Sequence, residues 1–365
     1  MKILYYFRDI DSLMFQWQKY HIVDEMSRHQ CIIDILSPTD FTSYEQANEA
    51  IIHRVKNDKY DVFMTCLGDK YLFAETVNEI KRIGIPTLLF CPDNLVAPYN
   101  HRRISNLFDL VWLTSRDTEY LFRRWGCRTV FQPYAANPFF LTPIPSVTHY
   151  NRVGFIGNPH GSRIDRINYL LKNHIPVTVH TKSSNLDGTF LKAGISDYID
   201  LFYNYSKYPI GRKLAIAAII DKFTKRHLSD PFGCLEKKEA VQLDHLSEVN
   251  GQYALVLSFT DANSSGVLNE PVKIVNLRNF EIPMSGGLQF TLYSEELACY
   301  FENDKEIVMG KTMEECVEKA KFYLRDEKEP LRESMRFAAR KRAENDHTWF
   351  RRFEVVLGEL GFNLD

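Results

Sequence analysis

The sequence has no run of about 18 consecutive apolar residues, the length that a helix needs to cross a bilayer. Its amino terminus, MKILYYFRDID, is too short in apolar length for a signal peptide. Seven cysteines are present, but no two of them have the CxxC spacing of many zinc and redox sites. Most of them stand inside apolar segments, which is typical of buried thiols in a reducing compartment. These features predict a cytoplasmic protein.

The sequence also has no large excess of positive or of negative charge. The formal net charge is −2, so no overall basic field favours a nucleic acid as partner. Charged residues make up 25% and hydrophobic residues 45% of the chain, as in ordinary globular proteins. The length of 365 residues is sufficient for two domains with separate cores. Aromatic residues reach 13%, which fits a thick core or a cleft that faces carbohydrate.

The first 140 residues alternate short apolar segments with longer amphipathic ones. Continuous apolar segments separated by helical patterns are typical of a parallel sheet that is covered on both faces. The pattern predicts an α/β, doubly wound, Rossmann-like domain over 1–140, with its ligands at the carboxyl ends of the strands. The predicted strands cover 2–7, 31–37, 60–67, 85–94, 108–115 and 129–135, and a single helix is predicted over about 12–28.

A proline-containing stretch without periodicity, 137–151, follows this domain, and we place a linker at 141–150. The alternating pattern then starts again, which predicts a second Rossmann-like domain over 151–345. Within it, strands are predicted at the start of 151–163, at 175–182, at 253–261, within 288–302 and at 306–311, and a helix is predicted over about 272–284. Residues 183–206 have no regular pattern. The last segment, 346–365, predicts a helix that returns to the first domain.

A glycine-containing turn, VGFIGNPHGSR, opens the second domain between a predicted strand and a helix. Glycines at 154, 157 and 161 would let backbone N–H groups approach a phosphate at the helix amino terminus. Arg163 would add a charge-assisted contact. The spacing is not GxGxxG, so the dinucleotide fingerprint is absent, and a plain tight turn is the alternative.

The stretch NLRNFEIPMSGGLQFT, 276–291, places a carboxylate in apolar surroundings. Glu281 could pair with Arg278, three residues earlier on the same helix face. Alternatively, Glu281 accepts hydrogen bonds from two ribose hydroxyls and Arg278 meets a diphosphate. The N–H groups of Gly286 and Gly287 would then point toward the same ligand. Lys273 adds a second cation.

Several segments together resemble one known family. They are RNFEIPMSGGLQFT, YFENDKEIVMG and AKFYLRDEKEPLRESMRFAARKRAENDHTWFRR near the end, with RVGFIGNPHGSR and LFDLVWLTSRDTEYLFRRWGCRTVFQPYAANP upstream. In content and order they are similar to the CgeB-like (spore maturation protein type) glycosyltransferases of the GT-B clan. The resemblance covers most of the chain and is weakest over 183–245. It implies two Rossmann-like domains that face a cleft, with the nucleotide sugar mainly on the second and the acceptor mainly on the first.

The resemblance also implies site residues. Glu281 matches the carboxylate that binds the ribose, and Arg278 matches the basic residue before it. Many retaining enzymes of the clan carry two glutamates eight residues apart, but Lys273 stands at the earlier position here and Glu270 does not fit. A lysine there would instead neutralise the leaving diphosphate. The loops on the phosphate side are matched by Gly157, Asn158, Arg163, Gly286 and Gly287.

Transfer to a hydroxyl also requires a group that removes a proton, which an inverting enzyme would carry on the first domain. Asp93, in LLFCPDN, is our first choice, followed by Asp9 and Asp11 and then by His101. The alternative for Asp93 is a turn or a helix cap. His180, at a predicted strand end, would touch the nucleotide or the sugar, or would serve a turn. No metal or other cofactor is expected, because cationic side chains can stabilise the diphosphate and the sequence has no clear DxD pair.

These observations favour a glycosyltransferase that moves a sugar from a nucleotide-activated donor to a glycan, lipid-linked or protein acceptor. The setting would be bacterial surface glycan or protein glycosylation. A nucleotide-sugar epimerase of GT-B fold and a non-catalytic two-domain binding protein are the alternatives. The basic amphipathic helix predicted at 211–228 either docks on an anionic bilayer, which would place the protein at the inner membrane face, or covers its own domain.

Overall fold

The computed structural model describes residues 1–11, 13–145, 149–182 and 202–364, and the side chains of all of these except 13 and 14. The chain divides into two compact units, Met1–Phe140 with His347–Asp365, and Leu141–Asp346. Most of the stretch that was expected to lack regular structure, 183–201, lies outside the described residues. Each unit contains one parallel six-stranded sheet, which confirms the predicted α/β class with two doubly wound domains.

The sheet of the first unit has the strand order β2-β1-β3-β4-β5-β6, and every neighbouring pair is parallel. The central strands are buried along their whole length, which explains their continuous apolar sequence. All six strands predicted from the sequence are present. They are β1 (Lys2–Tyr6), β2 (Ile32–Leu36), β3 (Val62–Thr65), β4 (Thr87–Cys91), β5 (Leu110–Leu113) and β6 (Thr129–Phe131).

Local capping explains where several helices of this unit begin and end. The Ser43 hydroxyl accepts a hydrogen bond from the Gln46 N–H at 3.3 Å, and Gly84 ends its helix with φ of 93°. The single helix predicted near 12–28 is wrong in detail, because a π-helical turn at Lys19–Val23 interrupts it. The α-helices are Leu13–Gln18, Asp24–Arg28, Tyr44–Asn57, Ala74–Ile83, Glu119–Arg124 and Trp349–Glu359.

The last helix, Trp349–Glu359, is part of the first unit. The Trp349 ring lies 5.7 Å from that of Trp17 and 5.9 Å from that of Trp112, so it completes an aromatic layer of the core. At the helix amino terminus, the backbone N–H groups of Trp349 and Phe350 donate to the buried carboxyl of Glu25 at 3.2 and 2.7 Å. A side chain distant in sequence therefore caps this helix.

Glu25 gives the stability of the first unit a dependence on pH. Burial raises its pKa from 4.5 to about 8, although the two N–H donors oppose this shift. An unfolded chain releases the proton at lower pH than the folded one, so the free energy of unfolding should fall as pH rises from about 4.5 to about 8. The expected slope is about 1.4 kcal/mol per pH unit. Urea denaturation of the wild type and Glu25→Gln at several pH values measures it, and equal slopes in the two proteins would contradict the expectation.

The sheet of the second unit has the order β12-β11-β10-β7-β8-β9 and is also parallel throughout. The sequence did not predict β9, whose residues LEKK form a partly exposed edge strand. The strands are β7 (Tyr150–Ile156), β8 (Val177–His180), β9 (Leu235–Lys238), β10 (Tyr253–Leu257), β11 (Gln289–Leu292) and β12 (Val308–Gly310).

Two helix predictions in this unit are corrected. The helix expected over 272–284 begins only at Arg278, because Lys273 forms a β-bridge with Asp261. The helix expected over 211–228 covers Pro209–Phe223. No helix in the described part of the chain is both long and apolar enough to span a bilayer. The α-helices are 202–206, Pro209–Phe223, Ser162–Lys172, Leu246–Gln252, Arg278–Met284, Glu295–Ala298, Met313–Tyr323 and Glu329–Asp346.

Candidate functional site

The candidate site lies at the carboxyl ends of the central strands of the second unit. β7 is paired with β10 on one side and with β8 on the other, so the loops that follow these strands emerge at the same sheet edge. Open parallel sheets bind their ligands at this edge. The loop 157–161 follows β7, and 258–261 follows β10.

The loop after β7 has a backbone that requires glycine. Gly157 has φ of 143° and Gly161 has φ of 56°, both in the region that other residues rarely adopt. A Cβ atom on Gly161 would also come within 3.2 Å of the Ser264 hydroxyl and 3.3 Å of an Asp221 carboxylate oxygen. Gly161 is the N-cap of the helix Ser162–Lys172 and makes no side-chain capping bond. Of the first N–H groups of this helix, that of Ile164 donates to the Gly161 carbonyl at 3.1 Å and that of Arg163 to the His160 carbonyl at 3.2 Å.

Two buried polar atoms beside this loop have no hydrogen-bond partner within the described residues. They are Nε of Arg163 and the side-chain oxygen of Asn158. The Arg163 guanidinium makes one long hydrogen bond, 3.4 Å, to the carbonyl oxygen of Asn158. Burial, and after it the nearby charge of Arg278, lower the pKa of Arg163 to about 10. A half-buried cation in this position is suited to an anionic ligand that would satisfy it.

Arg278 stands at the start of the helix Arg278–Met284 and reaches back to β7. Its guanidinium donates to the carbonyl oxygen of Ile156, the last residue of that strand, and its backbone N–H donates to the Asn276 side chain at 3.1 Å. The structure therefore brings Arg278 to the glycine loop and to Arg163, as the phosphate-binding interpretation of the sequence predicts.

A buried carboxylate at the end of β10 organises two further cations. Asp261 forms an ion pair with Lys273, 2.8 Å between Oδ1 and Nζ, and a second one with Arg166. Lys273, predicted to neutralise a diphosphate, thus already has an acidic partner. Four basic side chains and one carboxylate meet here, so the cluster carries excess positive charge.

Glu281 is buried, with 5% of its surface exposed, on the helix Arg278–Met284. The expectation for the two glycines after this helix is wrong. The N–H of Gly286 donates to the Pro283 carbonyl at 3.0 Å, and that of Gly287 donates to the Ile282 carbonyl at 2.9 Å. Both N–H groups terminate the helix and are not available to a ligand.

His180 has two protein partners at the end of β8. Its Nε2 atom lies 2.7 Å from the Tyr253 hydroxyl, and its Nδ1 atom lies 3.2 Å from the Glu239 carbonyl oxygen. Burial lowers the pKa of the imidazole, which favours the neutral form. These contacts indicate that the ring holds neighbouring segments of the unit together, which is the structural alternative weighed for it.

In the first unit, Asp93 follows β4 and has φ of 55°, a backbone that is strained for a residue other than glycine. The backbone N–H groups of Val96 and Ala97 donate to its carbonyl oxygen, so it also forms a turn. The carboxylate accepts a hydrogen bond of 2.8 Å from the Tyr134 hydroxyl. Neighbouring protein atoms desolvate the carboxyl and raise its pKa, against the effect of Tyr134.

Asp9 and His101, two of the other base candidates, contact other parts of the first unit. Asp9 pairs with Lys19 at 3.0 Å and accepts from Gln16 at 3.1 Å. His101 is buried, and its Nε2 atom lies 3.0 Å from the Cys66 carbonyl oxygen. Burial lowers the pKa of His101. Of the acids and histidine proposed from the sequence, Asp93 has the position and chemistry best suited to accept a proton.

Sequence reasoning missed two members of the cationic cluster, Asp261 and Arg166. The signal for Asp261 was available, because it ends a predicted strand in SFTDANSSG just as Asp93 ends one in LLFCPDN. Its pairing with Arg166 requires β10 to lie beside β7, and strands that are neighbours in the sheet but distant in the chain leave no local signal.

Comparison with known proteins identifies the class of the fold. Residues 229–358, roughly a third of the chain, match a family model described as Glycosyl transferase-like. No curated protein matches the sequence. The fold is that of the GT-B glycosyltransferases, which confirms the predicted fold class, and the family match over 229–358 agrees with it.

Particular solved structures have this fold over nearly the whole length. Anabaena Alr3699/HepE in complex with UDP-glucose is 11% identical, with a TM-score of 0.59 and 99% of both chains covered. Its complex with UDP gives a TM-score of 0.60, with 99% of this chain and 100% of that one covered at 11% identity. A glycosyltransferase from Rickettsia africae ESF-5, 11% identical, has a TM-score of 0.59 over 99% of this chain and 98% of its own.

Proposed function

We propose that this chain is a glycosyltransferase that moves a sugar from a nucleotide-activated donor to a hydroxyl acceptor. One observation carries the proposal: the cationic cluster at the sheet edge of the second unit, where the buried polar atoms of Arg163 and Asn158 have no partner in the described residues. A diphosphate would satisfy the positive charge and the Nε–H donor of Arg163. The Asn158 side-chain oxygen is an acceptor and would instead take a hydrogen bond from a hydroxyl or N–H group of the donor. The glycosyl transferase-like match of 229–358 and structural neighbours crystallised with UDP or UDP-glucose support the donor class.

In this proposal the donor is held by groups with separate roles. Glu281 accepts hydrogen bonds from the ribose hydroxyls, and Arg163, Arg278 and the amino terminus of the helix Ser162–Lys172 bind the diphosphate. Negative charge grows on the diphosphate as the sugar leaves. Cations and N–H groups already in place stabilise that charge without having to reorganise, which lowers the barrier of the transfer step.

The acceptor hydroxyl must lose its proton as it attacks the sugar, and we assign that step to Asp93. Its raised pKa makes the carboxylate a stronger base than an ordinary aspartate. The proposal also takes from the sequence resemblance the CgeB-like subtype, a glycan, lipid-linked or protein acceptor and a role in bacterial surface glycan or protein glycosylation. The seven free cysteines, four of them buried, support a cytoplasmic location.

A thermal-shift panel of UDP-, GDP-, dTDP- and CMP-sugars tests donor binding, because a ligand of the folded state raises the melting temperature. Release of nucleotide, with and without candidate acceptors, then tests transfer. Release that depends on acceptor supports the proposal. A free isomerised sugar nucleotide would instead indicate an epimerase, and binding without turnover would indicate a binding protein.

Glu281→Ala should weaken binding of the donor found in that panel by about 10- to 100-fold, since each hydrogen bond to a charged group contributes about 1.5–3 kcal/mol. Isothermal titration with wild type and variant measures the change. Glu295→Gln, at an exposed position of a neighbouring helix, is the matched control and should bind normally. An unchanged affinity in Glu281→Ala, or loss of the unliganded fold, would show that the carboxylate serves the structure alone.

A further inference from the structure

The helix Pro209–Phe223 is apolar on two opposite faces. One face packs on its own unit through Gly211, Leu214 and Ala217. With 3.6 residues per turn, residues 216, 219, 220 and 223 form a second row on the opposite side. This row, which we call the outer stripe, is exposed to solvent, and Phe223 is 82% exposed. The outer stripe consists of Ile216, Ile219, Ile220 and Phe223.

An ordinary surface helix places polar residues where this helix carries the outer stripe. Single exposed apolar side chains are common, but four large ones on one helix face form a continuous patch, which marks a binding surface. Nothing in the proposed donor site uses this patch. On the inner side of the helix, Asp221 accepts a 2.7 Å hydrogen bond from Ser264, which follows β10, so the outer stripe points away from that contact.

Charge around the outer stripe identifies its partner. Between residues 202 and 228 the sequence has six basic residues and one acidic residue, a net charge of +5, although the whole chain has −2. The one acid, Asp221, pairs with Arg226 on the inner side. Exposed basic residues flank the stripe on both sides and at its end: Arg212, Lys213, Lys222 and Lys225. Lys213 also contacts the exposed Glu270 at 3.2 Å.

We propose that the outer stripe and its basic flanks dock on an anionic lipid bilayer. The helix would lie parallel to the surface, with its isoleucines and Phe223 among the headgroups and upper acyl chains and its basic residues near lipid phosphates. An apolar row bordered by positive charge on one exposed helix face matches both components of such a surface. This inference is independent of the proposed transfer reaction.

Sedimentation with vesicles tests the proposal on the full chain. Wild type should bind vesicles of phosphatidylcholine and phosphatidylglycerol, bind phosphatidylcholine alone at least about tenfold more weakly, and lose binding as salt increases. Ile219→Ser with Phe223→Ser should reduce binding to anionic vesicles by about tenfold or more. The matched control is Phe337→Ser, since Phe337 is 73% exposed on another helix of the same unit and should not affect binding.

A charge-reversal variant, Lys222→Glu with Lys225→Glu, keeps the apolar row and should also lose binding, so the test does not depend on one kind of substitution. Circular dichroism and the melting temperature establish that each variant is folded. Failure of the wild type to bind anionic vesicles would overturn the proposal. Two results with the serine variant would also overturn it: loss of a dimer that the wild type forms in solution, or easier unfolding when the wild type binds no lipid. Either result would show that protein covers the outer stripe.

Discussion

Arg163→Met is expected to lower turnover with a nucleotide sugar by about 100- to 1,000-fold while the melting temperature of the unliganded protein stays the same or rises. In the folded protein this guanidinium is half-buried, has a buried Nε without a partner in the described residues, and lies near the charge of Arg278. Keeping a cation there costs folding free energy, and this cost is recovered when a diphosphate binds. Methionine fills much of the space without the charge.

The measurements are steady-state kinetics with the donor and thermal unfolding without it. Arg166→Met is the matched control, because Arg166 is in the same helix but pairs with the buried Asp261. Removing Arg166 leaves the Asp261 carboxylate paired with Lys273 alone, so the melting temperature of the Arg166→Met variant should fall. If Arg163→Met destabilises the unliganded protein as much as Arg166→Met does, Arg163 is a structural residue and the site assignment is wrong.

Asp93→Asn should reduce kcat by about 100- to 10,000-fold, the range over which a positioned base contributes, and leave the donor KM nearly unchanged. Asparagine keeps the shape and the hydrogen bond from Tyr134 within reach but cannot accept a proton. In wild type, kcat should fall as pH decreases through the raised pKa of Asp93, because the base becomes protonated. The residual activity of the variant should lack this decrease in kcat at low pH, which is the acidic limb of the rate profile.

Tyr134→Phe provides a second test of the same assignment. The tyrosine hydroxyl donates to Asp93 at 2.8 Å and so stabilises the charged carboxylate. Without it the pKa of Asp93 should rise further, and the acidic limb of the rate profile should move to higher pH. A limb that stays in place, or an Asp93→Asn variant with normal kcat, would exclude Asp93 as the base. Asp9→Asn serves as the control that retains the limb.

The elements that the sequence predicted best are those whose local pattern matches their burial. The strands 62–65, 87–91 and 110–113 are apolar throughout because both faces of the sheet are covered. β9 was missed because an edge strand with the sequence LEKK has no such pattern. The helix near 272–284 was predicted too long because the bridge between Lys273 and Asp261 is a contact between segments, which periodicity does not record.

In the candidate site, too, the sequence predicts the features that have a local signal and misses those that depend on contacts between distant segments. The glycine loop and the arginines at 163 and 278 could be predicted, because unusual backbone and charge within short motifs are local signals. The carboxylate of Asp261 could not be linked to Arg166, since that requires the sheet order. Gly286 and Gly287 were assigned to a ligand because the same pair of glycines can open a loop or end a helix, and hydrogen bonding decides between these.

The first unit is discontinuous along the chain, and its aromatic core is completed by Trp349. A ribosome that synthesises the protein from its amino terminus has produced all of Leu141–Asp346 before that indole exists. The first unit therefore needs residues that are made after the whole of the second unit, whereas the second unit needs none that are made later. A fragment that ends at residue 346 would retain a complete second unit and leave Glu25 without the backbone donors that it caps.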